Sequence, residues 1–437
     1  MKPIHVGLLG LGTVGGGTLT VLRRNQAEIT RRAGRAILVK MAAVRDLSKA
    51  QIAYAGEDIK ITTNPLEVVE NPDIDIVVEL IGGTDQAKDL VLKAIANGKH
   101  VVTANKALLA MHGNEIFAAA QARGVMVAFE AAVAGGIPII KAVREGLSAN
   151  RIEWVAGIIN GTTNFILTEM RDKGLAFDTV LAEAQRLGYA ESDPTFDIEG
   201  VDAAHKLTIL AAIAFGIPMQ FDKAYIEGIS KLTKEDIQYA EELGYRIKLL
   251  GITKRVAQGI ELRVHPTLIP TKRLIANVEG VMNAVLVKGD AVGATLYYGR
   301  GAGAEPTASA VVADLVDVTR MHTADPEHRV PHLAFQPDAL SDAPILPMSE
   351  VRTAYYLRMR AFDQPGVLAD ITRILADLEI SIDAMIQKEP DEGQALVDII
   401  MLTHVTVEKN VNQAIAKIEA LSTISGKVTR LRLETLG

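Results

Sequence analysis

The 437-residue chain contains no cysteine. That absence excludes disulfides, thiolate zinc sites and any mechanism that passes through a thioester or thiohemiacetal on the enzyme, so a phosphorylating aldehyde dehydrogenase with a Cys nucleophile is ruled out. A basic excess is missing too. The formal net charge is −7, and no Lys/Arg run is interleaved with aromatics as a nucleic-acid surface requires. No apolar run reaches the length of a membrane span, and the first strand starts by Ile4, which leaves no room for a signal peptide. The expectation is a cytoplasmic protein with neither nucleic acid nor membrane as partner. With 49% hydrophobic and 23% charged residues the composition is that of an ordinary soluble enzyme. The length allows two or three domains, each with its own core.

What is present begins with a glycine fingerprint. The apolar strand Ile4 to Gly10 runs into Gly10-Leu11-Gly12-Thr13-Val14-Gly15, and a helix from Gly16 to Asn25 follows. In that strand-turn-helix context the glycines let a pyrophosphate approach the backbone at a helix N-terminus, which predicts a Rossmann domain. A second strand, Ile37 to Val44, ends in Arg45-Asp46. Arg45 suits the 2′-phosphate of NADP and Asp46 the ribose of NAD; Arg45 comes first, which favours NADP with NAD as the alternative. An insertion around Ile29 to Arg35 lengthens the spacing between fingerprint and Arg45. The buried strand Asp75 to Leu80 leads to the turn Ile81-Gly82-Gly83-Thr84, and the strand His100 to Thr103 leads to Ala104-Asn105-Lys106, so Lys106 emerges at a strand end facing the crevice. Val125 to Glu130 reads as a further strand. The small-residue loop from Ala131 to Pro138 and a helix from Ile139 to Ser148 follow.

A second cluster lies between Gly188 and Lys206, where five carboxylates fall in a Gly- and Pro-punctuated loop that enters a helix, Val201 to Phe215. Asp202 and Lys206 share a face of that helix. Glu191 and Asp197 sit upstream. Acids of this kind hold a substrate ammonium group, and an amine at Lys206 gives and takes a proton. The bland alternative is an acidic surface loop with one exposed ion pair.

Around this cluster, Ile152 to Ile159 reads as a strand ending in Asn160-Gly161-Thr162-Thr163-Asn164, with helices at Phe165 to Lys173 and Thr179 to Leu187. Lys231 to Leu249 reads as helical, and the runs Leu249 to Thr253, Gly259 to Thr267, Met282 to Lys288 and Ala291 to Tyr298 as antiparallel strands. A glycine-rich turn, Gly299 to Thr307, opens the helix Ala308 to Arg320, whose apolar face packs back on the nucleotide domain. Met321 to Ser349 reads as a linker. Strands Thr353 to Phe362, Ile380 to Lys388, Ala395 to Thr403 and Val428 to Leu433, a helix from Asp363-Gln364-Pro365-Gly366 to Leu378, a polar turn at Pro390 to Gly393 and a helix Val411 to Ala420 make a βαββαβ, ferredoxin-like tail.

Together, the Gly10 to Gly15 fingerprint, Thr103-Ala104-Asn105-Lys106, Gly161-Thr162-Thr163-Asn164, Gly188 to Lys206 and Gly301 to Thr307 resemble homoserine dehydrogenase over residues 1 to about 320. The tail, with Asp-x-Pro-Gly-Val-Leu at Asp363 to Leu368, resembles an ACT domain. With no aspartate kinase portion ahead of it, the chain is similar to the monofunctional form. The resemblance implies an α/β protein with a Rossmann domain over 1–140 completed by 300–320, an α+β mixed-sheet catalytic and dimerisation domain over 141–300, a linker over 321–350 and an ACT domain over 351–437. It implies interconversion of L-homoserine and L-aspartate 4-semialdehyde on the way to threonine, methionine and isoleucine. Lys206 and Lys106 would be catalytic, Glu191, Asp202 and Asp197 would bind substrate, and Gly10, Gly12, Thr13, Val14, Gly15, Arg45, Lys106, Gly188 and Gly303 would bind the cofactor. A sodium ion would sit at Glu130, Val133, Gly135 and Ile137. A homo-oligomer, dimer or tetramer, and an L-threonine effector at the ACT domain are further implications. Two other readings stand beside this one: another NAD(P)-dependent amino-acid oxidoreductase, which ammonia release would reveal, and a non-catalytic sensor, which would have no need of the lysines.

Overall fold

The computed structural model describes residues 2–53, 58–388 and 395–437, so the turn expected at Pro390 to Gly393 lies outside the described residues. Two compact units result. One comprises Met1–Gly161, Asp202–Ala224 and Val281–Ala343, the other Thr162–Val201, Tyr225–Gly280 and Pro344–Gly437.

In the first unit six strands, β1 (Ile4–Leu9), β2 (Ile37–Ala43), β3 (Lys60–Thr62), β4 (Ile76–Glu79), β5 (His100–Thr103) and β6 (Val127–Ala128), form one parallel sheet in the order β3-β2-β1-β4-β5-β6. Val6 lies opposite Val39 on one side and Ile76 on the other, so the strand order reverses beside β1. A parallel sheet covered on both faces needs continuous apolar strands, and Val6, Leu8, Ile76 and Val78 are wholly buried. The helix Ala304–Met321 contributes Ala308, Val311, Leu315 and Val318 to the same core, as its apolar face requires. Its close approach to the helix Thr13–Arg24 depends on Gly17, where a Cβ would lie 2.6 Å from the Ala304 carbonyl oxygen. The insertion before β2 is a short helix, Gln26–Ala33, terminated by Gly34 at φ +80°. β2 follows it, pairing with β1 with one register shift at Lys40, and Arg45 follows the end of that strand. The unit also holds an antiparallel trio, Ile152–Ile158, Met282–Gly289 and Gly293–Arg300.

Three expectations change here. The strand drawn from Val125 to Glu130 is only Val127–Ala128, because Glu130–Ala132 winds into a 3-10 turn. This carries the Glu130 carboxylate beneath the Ile140 and Lys141 N–H groups, which donate to it at 2.9 Å each. The helix drawn from Ile139 to Ser148 is an α turn, Ile139–Lys141, followed by a π turn, Ala142–Gly146, closed by Leu147 N–H on the Ala142 carbonyl at 2.8 Å. The stretch after Met321 is no free linker: His332 Nε2 accepts from Val127 N–H at 3.0 Å and its ring stacks on Phe117 at 5.2 Å, while Arg329 donates to the Gly124 carbonyl at 2.8 Å.

In the second unit, the segment read as helical from Lys231 to Leu249 is a helix only over Lys234–Glu242. Thr233 and Asp236 form a reciprocal capping box that fixes its start. Gly244, at φ +81°, ends it and releases the strand Tyr245–Val256. The helix expected from Phe165 begins earlier, at Gly161, so the Thr162-Thr163-Asn164 turn is its first turn. The strand Tyr245–Val256 pairs antiparallel with Gly259–Pro270, which also takes Tyr225–Ile226 in parallel. The tail then continues this same sheet: Ile424–Leu433 pairs in parallel with Gly259–Pro270 through Thr267 opposite Arg432, and Arg352–Phe362, Leu396–Thr403 and Ile382–Gln387 follow outward. Helices Val367–Asp377 and Glu408–Glu419 cover it over a core of Tyr355, Leu357, Met359, Ile371, Leu375 and Ile418. The expected βαββαβ module is therefore present, fused edge to edge with the strands before it.

Candidate active site

The glycine fingerprint opens on a cleft of about 1150 Å³ in the first unit, lined among others by Gly10, Gly12, Arg45, Asp46, Gly82 and Gly83. Each glycine answers a different requirement. Gly10 takes φ +102°; a Cβ on Gly15 would lie 2.2 Å from the Gly10 carbonyl oxygen; a Cβ on Gly12 would meet only open space. That open space, at the uncapped N-terminus of the helix Thr13–Arg24, is a cradle fitted to a pyrophosphate. Thr13 and Val14 are the first residues of that helix. Asp46 is partly engaged by Lys49, whose ammonium lies 3.4 Å away, whereas Arg45 is exposed along the cleft. Gly303, at φ +127°, caps the helix Ala304–Met321 in the same unit. Gly188 lies in the second unit, where at φ +76° it ends the helix Phe177–Arg186.

The chemistry-bearing groups of the first unit converge on one carboxylate. Asp202 and Lys206 lie one turn apart on the helix Val201–Phe215, and Lys206 Nζ donates to Asp202 Oδ2 at 2.8 Å and to the Ile159 carbonyl at 2.7 Å. Asn160, just past the end of the strand Ile152–Ile158, donates to the same Oδ2 at 2.8 Å. The other oxygen, Oδ1, lies 3.2 Å from Lys106 Nζ. Burial would raise the Asp202 carboxyl, but Lys206, Lys106 and the bonds from Lys206 and Asn160 outweigh it and hold the group well below the usual carboxylate range. The Lys206 side chain is 12% exposed and that of Lys106 33%, so each amine is anchored yet reachable. Beside them the buried His205 ring packs on Phe221 at 4.3 Å. Burial, with the two lysines adding to it against Asp202, lowers its pKa to about 4, so the imidazole is neutral at neutral pH.

Lys106 begins a helix, where the dipole disfavours a cation. Its backbone is fixed by a chain of bonds the sequence reading did not single out. Asn105 caps the helix by accepting Leu108 N–H at 3.1 Å and donates to the Gly83 carbonyl at 2.7 Å. The Thr103 hydroxyl accepts Asn105 N–H at 3.0 Å and donates to Glu79 at 2.6 Å. Glu79, fully buried at the end of β4, accepts Ile81 and Gly82 N–H at 2.9 and 3.1 Å. One carboxylate thus ties the turn lining the dinucleotide cleft to the segment carrying Lys106. An acid closing an otherwise apolar strand was the available signal for it.

In the second unit, the acidic stretch is braced rather than loose. Thr162 donates to the Tyr189 carbonyl at 2.6 Å and lies 3.4 Å from Asp197 Oδ2, so Asp197 meets the first turn of the Gly161–Lys173 helix. Asp193 accepts Thr195 N–H at 3.1 Å just ahead of the short helix Thr195–Ile198. Glu191 is exposed, with its carbonyl held by Gln185 at 3.1 Å.

At the loop 130–137, Ala134 and Gly135 both adopt positive φ, 53° and 35°, which turns successive carbonyls of a buried loop. Among the described residues no cluster of three or more His, Cys, Asp or Glu side chains could hold a metal. A cation here would have to be held by main-chain oxygens, the donor set of a hard ion. The Glu130 carboxylate is already committed to Ile140 and Lys141 N–H.

A dinucleotide cradle at the switch point of a parallel sheet, with two amines held on one buried carboxylate, defines an oxidoreductase that works with a nicotinamide dinucleotide. The family model for homoserine dehydrogenase matches residues 138–316, that for the homoserine dehydrogenase NAD-binding domain residues 10–130, and that for the ACT domain residues 355–423. The homoserine dehydrogenase of Pseudomonas aeruginosa is 66% identical over the full length of both chains. A crystal structure of a homoserine dehydrogenase from Thiobacillus denitrificans is 78% identical, with a TM-score of 0.96 over 100% of this chain and 99% of that one. A hyperthermophilic archaeal homoserine dehydrogenase solved in complex with NADPH is 27% identical, with a TM-score of 0.63 over 73% of this chain and 98% of that one. The chain belongs to the homoserine dehydrogenase family.

Proposed function

We propose that this chain reduces L-aspartate 4-semialdehyde to L-homoserine, and catalyses the reverse oxidation, with NADP preferred over NAD. The reading rests on Lys206 and Lys106 meeting the two oxygens of Asp202. The nicotinamide, when bound, supplies and accepts the hydride. Lys206 donates the proton to the incipient alkoxide during reduction and takes it back during oxidation. Asp202 holds both ammonium groups in place and binds the substrate with Glu191, and Asp197 accompanies them at the substrate's ammonium group. Lys106 positions the substrate and the cofactor, with Glu79 fixing the backbone behind it. Arg45 pairs with the 2′-phosphate of NADP, and support comes from its exposure along the cleft while Asp46 is drawn to Lys49. Gly188 and Gly303 complete the cofactor contacts.

The same reading assigns the nucleotide domain to 1–140 with 300–320, the catalytic domain to 141–300, the connecting stretch to 321–350 and the regulatory module to 351–437. It places a sodium ion on the carbonyls of the 130–137 loop, L-threonine at the ACT module, and the chain in a cytoplasmic homo-oligomer. Among the described residues no helix is long and apolar enough to cross a membrane. The deciding experiment measures NADPH and NADH oxidation with L-aspartate 4-semialdehyde. Activity with NADPH well above that with NADH supports the reading; ammonia release during the reverse reaction would replace it with an amino-acid dehydrogenase.

A further inference from the structure

The last strand of the chain ends in a buried guanidinium that reaches out of the ACT module. Arg432, wholly buried on Ile424–Leu433, donates to Glu408 Oε2 at 2.8 Å through Nε and to Glu408 Oε1 through Nη2, so one carboxylate of the module's own helix is satisfied. Its remaining donors point elsewhere. Nη1 donates to Glu227 Oε2 at 2.8 Å, Nη2 donates to the Tyr225 hydroxyl at 3.0 Å, and the guanidinium lies 4.8 Å from the Tyr225 ring centroid. Tyr225 in turn donates to Glu227 Oε2 at 2.6 Å. Burial would raise the Glu227 carboxyl, but Arg432, the bonds from Tyr225 and Arg432, and Arg430 at 3.5 Å lower it below its ordinary value, so a charged, partly buried carboxylate faces a wholly buried guanidinium. Removing the guanidinium's partner would leave its buried charge short of a counter-charge, so the pair holds these two elements in register.

What Glu227 holds is the backbone under the acidic stretch. Glu227 N–H donates to the Val264 carbonyl at 2.8 Å, and two residues on Ile229 N–H donates to the Ile198 carbonyl at 2.8 Å. Between them Gly228 lies so close that a Cβ there would fall 2.4 Å from the Ile198 carbonyl oxygen and 2.5 Å from Glu199 Cα. Gly200, at φ +84°, packs the exit of the same loop against Val264 and Ile226. The short helix Thr195–Ile198, which carries Asp197, therefore rests on the segment Glu227–Ile229, just past the strand Tyr225–Ile226, and Glu227 at its start is clamped by a side chain from the other end of the sequence.

We propose that Arg432 and Glu227 are positioning residues for substrate: through Gly228 and Ile198 they set the place of Asp197, and so make the homoserine site answer to the last strand of the ACT module. This rests on the reading that Asp197 binds the substrate's ammonium group. A shift of that strand moves the clamp, the clamp moves the loop, and affinity for the amino-acid substrate changes while the hydride-transfer and proton-transfer groups stay where they are.

The test uses the full chain. Glu227→Gln keeps the shape and loses the charge; Arg432→Lys keeps the charge, but a single ammonium cannot serve Glu408, Glu227 and Tyr225 together. Each is expected to raise the homoserine KM about tenfold, with kcat within about twofold and NADPH affinity by fluorescence titration unchanged, since a positioning loss acts on substrate binding alone. Tyr225→Phe removes one hydroxyl, leaves the ring under Arg432, and gives a smaller shift in the same direction; it decides the matter if the charged variants do not fold. An unchanged homoserine KM in a folded variant overturns the proposal, as does a parallel loss of kcat and NADPH affinity, which marks a general structural role. Asp197→Asn separates the two levels. If it leaves KM unchanged the substrate role of the loop is wrong, whereas if it raises KM and Glu227→Gln does not, only the clamp is wrong.

Discussion

Lys106 and Lys206 approach opposite oxygens of Asp202, at 3.2 and 2.8 Å, so two amines far apart in sequence share one buried counter-charge. Replacing Lys206 by Met removes the proton donor and leaves the acids in place. Turnover is expected to fall by about 10²- to 10⁴-fold with homoserine KM little changed. Steady-state kinetics in both directions measure this, and turnover within a few-fold of wild type would remove Lys206 from the mechanism.

Asp202→Asn keeps a hydrogen-bonding side chain but strips the counter-charge from both amines. Uncompensated charge in a buried site costs about 3–5 kcal/mol, so the variant should unfold at markedly lower denaturant as well as lose activity. A variant with wild-type stability and only kinetic defects would mean that solvent, not Asp202, balances the lysines.

Arg45→Ala should weaken NADPH binding at least about tenfold and NADH binding hardly at all, because only NADPH carries a 2′-phosphate for a bidentate guanidinium. Parallel titrations of the two cofactors decide it; equal losses would place the 2′-phosphate elsewhere in the cleft.

Lys248, buried in the strand Tyr245–Val256, donates to Asn164 Oδ1 at 3.0 Å and to the Val278 carbonyl at 2.5 Å. Burial first, and then Arg171, lower its pKa to about 7 from an ordinary value of 10.5. A depressed folded pKa means the native state sheds its proton before the unfolded chain does. Stability from this group is therefore present above about pH 10 and is lost as pH falls toward 7, changing by up to about 1 kcal/mol per pH unit. Denaturant unfolding at pH 7, 8 and 9 should show the rise in wild type and a flatter profile in Lys248→Met. Matching slopes would show that Lys248 stays protonated throughout.

A cleft of about 360 Å³ in the ACT module is lined by Asp363, Gly366, Val367 and Gln387, at the N-terminus of the helix Val367–Asp377. L-threonine is expected to inhibit the full chain, and Asp363→Ala to raise the inhibitory concentration at least about fivefold without changing uninhibited turnover. Cutting the tail off at Asp342 would be a poor test of the module's role. It would strip the strand beside Gly259–Pro270 and leave Arg263, which is held by Glu434 at 2.5 Å, buried with one partner fewer. Inhibition of wild type and variant at the same concentration would move the effector site elsewhere; no inhibition of either would leave the module with assembly alone.

Local chemistry carried much of this protein in its sequence. The fingerprint at Gly10–Gly15 was legible because only glycine tolerates the positive φ of Gly10 and the contact at Gly15. The spacing of Asp202 and Lys206 was legible because helical period alone puts them on one face. The βαββαβ order of the tail was legible because its strands and helices alternate in clean periods. Capping was less visible: the start of Lys234–Glu242 at Thr233 and its end at Gly244 depend on single bonds and one left-handed residue, so a run of helix-forming residues concealed a strand. What only the tertiary structure decided were the meetings of distant residues. Lys106 joins Asp202, Glu79 reaches the segment that carries Lys106, and Arg432 reaches Glu227 across most of the second unit's sequence. A sequence displays such charges singly, and the energy of a buried charge depends on a partner that only the folded chain brings within hydrogen-bonding distance.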